Sequence, residues 1–180
     1  MAATVEQFRE GMRYLAGSVT ILATATGDRE RVGMTATAVC SVSGAPPTLL
    51  CCINRDNATR DAFAASDAFS VNILAAGDED LANRFAMRLP HAERFKRGSW
   101  SAHETGTPVL DTAAAWFACK STQTLEVGSH TVFFGEILEI KVRGSHVMPL
   151  LYAHGGYGKF AGAQLSLQDL MWSPNWQVYD

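Results

Sequence analysis

Three short runs carry the residues best suited to meet a ligand. The first is Gly33-Met34-Thr35-Ala36-Thr37-Ala38-Val39-Cys40-Ser41-Val42-Ser43, where hydroxyl residues alternate imperfectly with small apolar ones. That pattern suits a planar polar heterocycle. Small side chains let a ring approach the backbone, while N–H and O–H groups meet its polar edge. A Thr-rich exposed strand has the same look, so this run alone decides nothing. The second run is Asn54-Arg55-Asp56-Asn57-Ala58-Thr59-Arg60, which follows an apolar stretch and opens a predicted helix. A helix start offers free N–H groups and a positive dipole end, and Arg55, Thr59 and Arg60 add donors suited to a phosphate. An ordinary helix cap with solvated arginines is the competing reading. The third run is Val127-Gly128-Ser129-His130-Thr131, a turn that enters an apolar strand. A histidine there can line a pocket, donate a hydrogen bond or shuttle a proton, though surface turns also carry histidines.

The elements that would position these runs follow from periodicity and breakers. Val5, Phe8, Met12 and Leu15 recur at steps of three and four, predicting an N-terminal helix with a capping box from Thr4 to Gln7 and an end at Gly17. Ser18 to Thr26 reads as a strand, Gly27 to Arg31 as a turn, and Val32 to Val42 as one further extended stretch. Gly44 to Pro47 breaks the chain, since Pro46 and Pro47 lack the N–H that a central ladder needs. Thr48 to Ile53 is an unbroken apolar run, expected to be buried on both faces. Helices are expected over 58–66 and 78–87, around a strand at 69–74. Leu89 to Pro108 reads as a long surface excursion. Strands resume at 114–125, 131–142 and 150–153, followed by Gly155-Gly156-Tyr157. Six or seven strands joined by short turns, with helices at the start and middle, predict a mainly β protein with peripheral helices, closed or partly closed as an antiparallel barrel.

Composition narrows the classes. The chain has 180 residues, and 47% of them are hydrophobic. That length reads as one domain over 1–180, with an aromatic tail from about 161 that includes Trp172 and Trp176. A net charge of −3, without clustered basic stripes, argues against a nucleic-acid partner. Neither a signal peptide nor an 18-residue apolar span is visible, so a cytoplasmic protein without a membrane partner is expected. Cys40, Cys51, Cys52 and Cys119 form no C-x-x-C pair and have apolar neighbours, so all four are expected to be buried and reduced. The five histidines have no ligand spacing, and no metal is expected. No nucleophile motif, P-loop or G-x-G-x-x-G fingerprint is present.

Taken in order, the runs carry more than they do singly. Residues 35 to 55 read Thr-Ala-Thr-Ala-Val-Cys-Ser-Val-Ser-x-x-Pro-Pro-Thr-Leu-Leu-x-Cys-x-Asn-Arg. Phe69-Ser-Val-Asn-Ile-Leu74, Leu81-Ala-Asn-Arg-Phe-Ala86, Arg94-Phe95 with Trp100, Gly106-Thr-Pro-Val-Leu110, Gly128-x-His130 and Phe134-Gly-Glu-Ile137 follow. Over about residues 6 to 160 this order resembles the short-chain flavin reductase family, including the reductase components of 4-hydroxyphenylacetate 3-monooxygenase and of the pyrimidine-utilisation monooxygenase. The resemblance implies an FMN-binding split β-barrel homodimer that takes FMN or FAD. It further implies hydride uptake from NADH or NADPH and delivery of reduced flavin to a separate flavin-dependent monooxygenase component.

By matching position, the resemblance assigns Thr35, Ala36, Thr37, Ala38 and Ser41 to the isoalloxazine ring. Asn54, Arg55, Ala58 and Thr59 are assigned to ribityl and phosphate, and Arg84 and Phe85 to one wall. His130 matches the histidine beside the nicotinamide and is the candidate catalytic group; Tyr157 matches the aromatic after the last strand. Four positions depart from the common pattern: Ser129 replaces an acidic residue, Asn57 replaces a serine, and Gly156 and Gly158 flank Tyr157 where larger residues are common. Two alternatives use the same barrel: a flavin-dependent oxidase with tightly held FMN, and a flavin carrier with no nicotinamide site.

Overall fold

A computed structural model describes residues 2–160. Its first element is the expected N-terminal helix, α1 (Val5–Met12). The capping box forms in both directions: Gln7 N donates to Thr4 Oγ1 at 3.2 Å, and Thr4 N donates to Gln7 Oε1 at 3.0 Å. Two amides that a helix start leaves free are thereby satisfied. The helix ends at Met12, and Gly17 instead opens the short strand β1 (Gly17–Ser18). No residue of α1 is buried, so its apolar stripe has no cover within the described residues.

The remaining elements are β2 (Thr20–Ala25), β3 (Arg31–Ala36), β4 (Val39–Gly44), β5 (Pro47–Asn54), α2 (Thr59–Ala64), β6 (Ala68–Ile73), α3 (Glu79–Ala86), α4 (His91–Arg94), β7 (Trp100–Ala102), β8 (Pro108–Leu110), β9 (Ala115–Val127), β10 (His130–Val142), β11 (Leu151–Ala153) and β12 (Gly156–Gly158). Seven strands form one antiparallel sheet in the order β3-β2-β6-β9-β10-β5-β4. Smaller sheets join β1-β11-β12 and β7-β8. The class is mainly β with peripheral helices, as expected.

The stretch from Val32 to Val42 is not one strand. It breaks at Thr37-Ala38, and its halves become the two outer strands of the large sheet, β3 and β4. Those two residues also dictate the shape of the sheet. A flat seven-stranded sheet would separate its edges by about 29 Å at the usual strand spacing. The link from Ala36 to Val39 spans at most about 11 Å. The sheet therefore curls until its edges approach at that end.

Both faces of the curled sheet are covered along its middle strands. On β2, Ile21 and Ala23 join a cluster with Phe85, Leu110, Trp116 and Leu150, while Leu22 joins Phe63, Phe69, Val71, Cys119 and Phe133 on the other face. β5 behaves differently from its unbroken apolar run. Leu49, Cys51 and Ile53 are buried, but Leu50 and Cys52 are only half-buried, because they point to the other face, which is only partly covered at this side of the sheet among the described residues. Edge position also explains Cys40, which is exposed on β4 rather than buried as expected. The predicted excursion over 89–108 contains α4 and β7 and leads into β8, and it delivers Phe95 and Trp100 against Phe85 at ring-centroid separations of 5.0 and 5.5 Å.

Candidate active site

All three runs singled out by their chemistry converge at one end of the curled sheet. Ala38 O accepts from Cys52 N at 3.0 Å, which lays the Thr37-Ala38 link beside the C-terminal end of β5. Two residues on, Asn54 faces His130 directly across the β5–β10 ladder. Arg55 N donates to Ser129 O at 2.9 Å, tying the second run to the third. Asn54 and Asn57 then shape the loop into α2: Asp56 N donates to Asn54 Oδ1 and Thr59 N to Asn57 Oδ1, both at 2.9 Å. His130 is exposed, with its Nδ1 2.9 Å from Ser129 Oγ.

Charge is organised beside this rim. Arg60 directs Nη2 to Glu126 Oε1 at 2.7 Å, Nη1 to Asp61 Oδ1 at 3.0 Å and Nε to Thr131 Oγ1 at 3.1 Å. Thr131 Oγ1 donates to the same Glu126 oxygen at 2.8 Å. Arg55 approaches Glu126 more loosely, at 3.8 Å, and its side chain is 54% exposed. The Arg60 hydrogen bond, followed by that from Thr131, holds the Glu126 carboxyl below its usual range. Glu126 and Asp61 in turn raise the Arg60 guanidinium. Thr59 Oγ1 lies nearby, buried and without a hydrogen-bond partner. A loosely held guanidinium and an orphaned hydroxyl on the same loop into α2 are donors of the kind that fits a phosphate.

The Thr37-Ala38 link also lines a cavity of about 1040 Å³. Ser41 and Thr48 contribute polar groups to it, and Val71 and Phe117, with Phe8 and Met12 of α1, contribute apolar ones. Its size and mixed lining suit a flat organic ligand.

Comparison with known proteins decides the family. Residues 12–161 match the flavin reductase like domain. The chain belongs to the flavin reductase-like family. It is 42% identical over 161 residues to an FMN reductase (NADH), RutF, of Ancylobacter novellus, covering 89% of this chain and 88% of that one. Among solved structures, it is similar to the NADH:FAD oxidoreductase SgcE6 of Streptomyces globisporus, with a TM-score of 0.82 at 30% identity over 91% of this chain and 99% of that one. Nitrilotriacetate monooxygenase component B of Mycobacterium thermoresistibile gives a TM-score of 0.80 at 28% identity, covering 86% of each chain.

Within this flavin reductase-like chain the expected site residues divide into three groups. Thr37, Ala38 and Ser41 line the large cavity. Asn54, Arg55, exposed Ala58 and buried Thr59 form the loop that faces the Ser129-His130 turn. Elsewhere, side chains expected to touch flavin are engaged with protein. Thr35 Oγ1 donates to Ala82 O at 2.6 Å, fastening β3 to α3, and Ala36 packs on the core. Phe85 is 1% exposed as a whole residue, so it is part of the core and no face of it is open to a ligand. Arg84 donates to Glu93 O through Nε at 3.0 Å and Nη2 at 2.6 Å, and it lines a separate cleft of about 510 Å³. Tyr157 Oη donates to Asn83 Oδ1 at 2.8 Å, so it gathers with Arg84 around α3 rather than at the His130 rim. Glu126 was not legible in the sequence as a site residue. Its partners Arg55 and Arg60 lie some seventy positions away, and only strand pairing joins them.

Proposed function

We propose that this protein is an NAD(P)H:flavin oxidoreductase that reduces FMN, or FAD, and supplies the reduced flavin to a separate monooxygenase component. The observation that carries the reading is the convergence of Thr37-Ala38, Asn54–Thr59 and Ser129-His130 at one rim, in a chain of the flavin reductase-like family. When bound, the nicotinamide and flavin supply the hydride transfer themselves, so no acid–base constellation is required of the protein. The chain's contribution is placement. Thr37, Ala38 and Ser41 offer a narrow polar edge for a ring, Arg55 and Thr59 offer donors for a phosphate, and His130 orients the second cofactor across from Asn54.

Further parts of the reading rest on shape and surface. The two-residue link between the outer strands supports a split barrel closed around the cavity. The residues over 1–180 act as one flavin reductase-like domain. A homodimer is supported by exposed apolar side chains on two elements: Val5, Phe8, Met12 and Leu15 around α1, and Leu138, Ile140 and Val142 on β10. Exposed apolar area on that scale favours a partner surface. Trp172, Trp176 and Tyr179, also expected to contribute, lie outside the described residues. No helix among the described residues is long and apolar enough to cross a membrane. We place the protein in the cytoplasm, where reduced nicotinamide is supplied and free thiols such as Cys40 persist.

The test is purified protein with NADH or NADPH, free FMN and air. Flavin-dependent consumption of reduced nicotinamide is the expected result. A yellow protein inert to both nicotinamides would overturn the reading in favour of an oxidase or a carrier. Light scattering at micromolar concentration should return twice the chain mass, and a monomer mass would remove the homodimer.

A further inference from the structure

Glu126 occupies an unusual place for an acid. It sits between two guanidiniums at the edge of a site whose other donors suit an anion. Arg60 is fully committed: its Nη1, Nη2 and Nε point at Asp61, Glu126 and Thr131. Arg55 is not. Its only ionic contact among the described residues is the 3.8 Å approach to Glu126 Oε2, and more than half of its side chain is open to solvent. Arg55 is therefore the cation an incoming phosphate can recruit, and Glu126 is the anion that the phosphate must displace or tolerate.

We propose that Glu126 sets how tightly the phosphate end of the flavin is held, keeping the flavin exchangeable by contending for Arg55. The inference rests on the flavin reductase reading above and deepens it. A reductase that hands its product to another protein must release it, and two uncompensated arginines at the phosphate would slow that release. Glu126 anchors Arg60 through a short charge-assisted bond, which removes one arginine from the ligand's reach. It also lowers the field at Arg55 without immobilising it. Glu126 acts through Arg55, and is thus a positioning residue rather than a catalytic one.

The experiment measures FMN and riboflavin affinity by quenching of flavin fluorescence for the wild type, Glu126→Gln and the double variant Glu126→Gln/Arg55→Ala. The expected gain in FMN affinity for Glu126→Gln is roughly two- to fivefold, the range for a solvent-exposed charge pair. Riboflavin, which lacks the phosphate, binds unchanged. The gain shrinks in high salt, as a surface electrostatic effect does. Most of it is lost in the double variant, because Arg60 is still held by Asp61 and Thr131, and stopped-flow displacement shows slower FMN release from the single variant. Glu126→Thr, neutral and suited to a strand, makes the same test should the glutamine variant misfold. Unchanged or weaker FMN binding overturns the proposal, as does a gain shared equally by riboflavin. A wild-type protein that reduces FMN while Glu126→Gln binds it no better sinks this inference alone; a wild type that binds no flavin sinks the functional reading as well.

Discussion

His130 lies directly opposite Asn54 in the β5–β10 ladder, with Ser129 Oγ 2.9 Å from its Nδ1. That pairing sets the histidine of one run beside the loop formed by another. It also holds the imidazole at the open rim rather than in the core, where a ring can reach a ligand without leaving its strand. Ser129 supplies a neutral partner, so the ring is oriented by a hydroxyl and not by a carboxylate.

His130→Ala should leave FMN affinity almost unchanged while raising KM for NADH, or lowering kcat, by about tenfold. That factor corresponds to around 1.4 kcal/mol of lost positioning. Steady-state kinetics with flavin titration separates the two effects. A variant that loses flavin and treats NADH normally would move His130 out of the nicotinamide site.

Arg55→Ala should weaken FMN by about 1 kcal/mol and leave riboflavin binding nearly as it is. The value sits below the roughly 1.5–3 kcal/mol of a hydrogen bond to a charged group and at the top of the range for an exposed pair, because the arginine is half exposed and shared with Glu126. Equal losses for both flavins would place the phosphate elsewhere.

Gly135→Ala tests the core beneath the site. A Cβ at Gly135 would come within 2.5 Å of Phe69 Cζ and 2.8 Å of Cys119 Cβ, both on strands that cannot yield easily. Overpacking of this kind costs about 1–3 kcal/mol. For a chain of this size, a melting temperature lower by roughly 2–4 °C per kcal/mol is expected. An unchanged melting temperature would mean that β10 shifts freely at the break in its register with β9 between Phe134 and Gly135.

Stability should fall on acidification through the imidazole range because of His91. Burial, and then the charge of Arg94, depress its pKa below the ordinary value of 6.5, against a smaller opposing pull from Glu30. In that window the unfolded chain binds the extra proton, so His91 contributes stability present above about pH 6.5 and lost as pH falls toward its folded value. Urea midpoints at pH 7.5 and 5.5 should differ less in His91→Gln than in the wild type. Equal differences would assign the dependence to other groups.

Much of the local structure was legible because it depends on neighbours in sequence. The capping box of Thr4 and Gln7 involves residues three apart, and α1 begins where that spacing says. Expected helices over 58–66 and 78–87 appear, trimmed, as α2 and α3, and a strand at 69–74 appears as β6. The order of motifs along the chain was sufficient for the family, since that order is itself a property of sequence. Three hydroxyl-bearing or charged runs were identified by residue type alone, and each contributes to the rim.

What only the tertiary structure decided depends on partners distant along the chain. Two residues, Thr37 and Ala38, turn one apparent strand into both edges of a curled sheet, and no local pattern distinguishes that link from its extended flanks. Phe85 and Tyr157 carry ring types suited to a flavin wall, yet Phe95 and Trp100 enclose the first and Asn83 binds the second. Burial depends on what arrives from elsewhere, and side-chain type alone does not report it. Glu126 is the clearest case. An acid near a strand end has no assigned role until antiparallel pairing of β10 with β9 and β5 sets it against Arg60 and Arg55, because Coulomb and hydrogen-bond interactions act over ångströms and not over sequence separation.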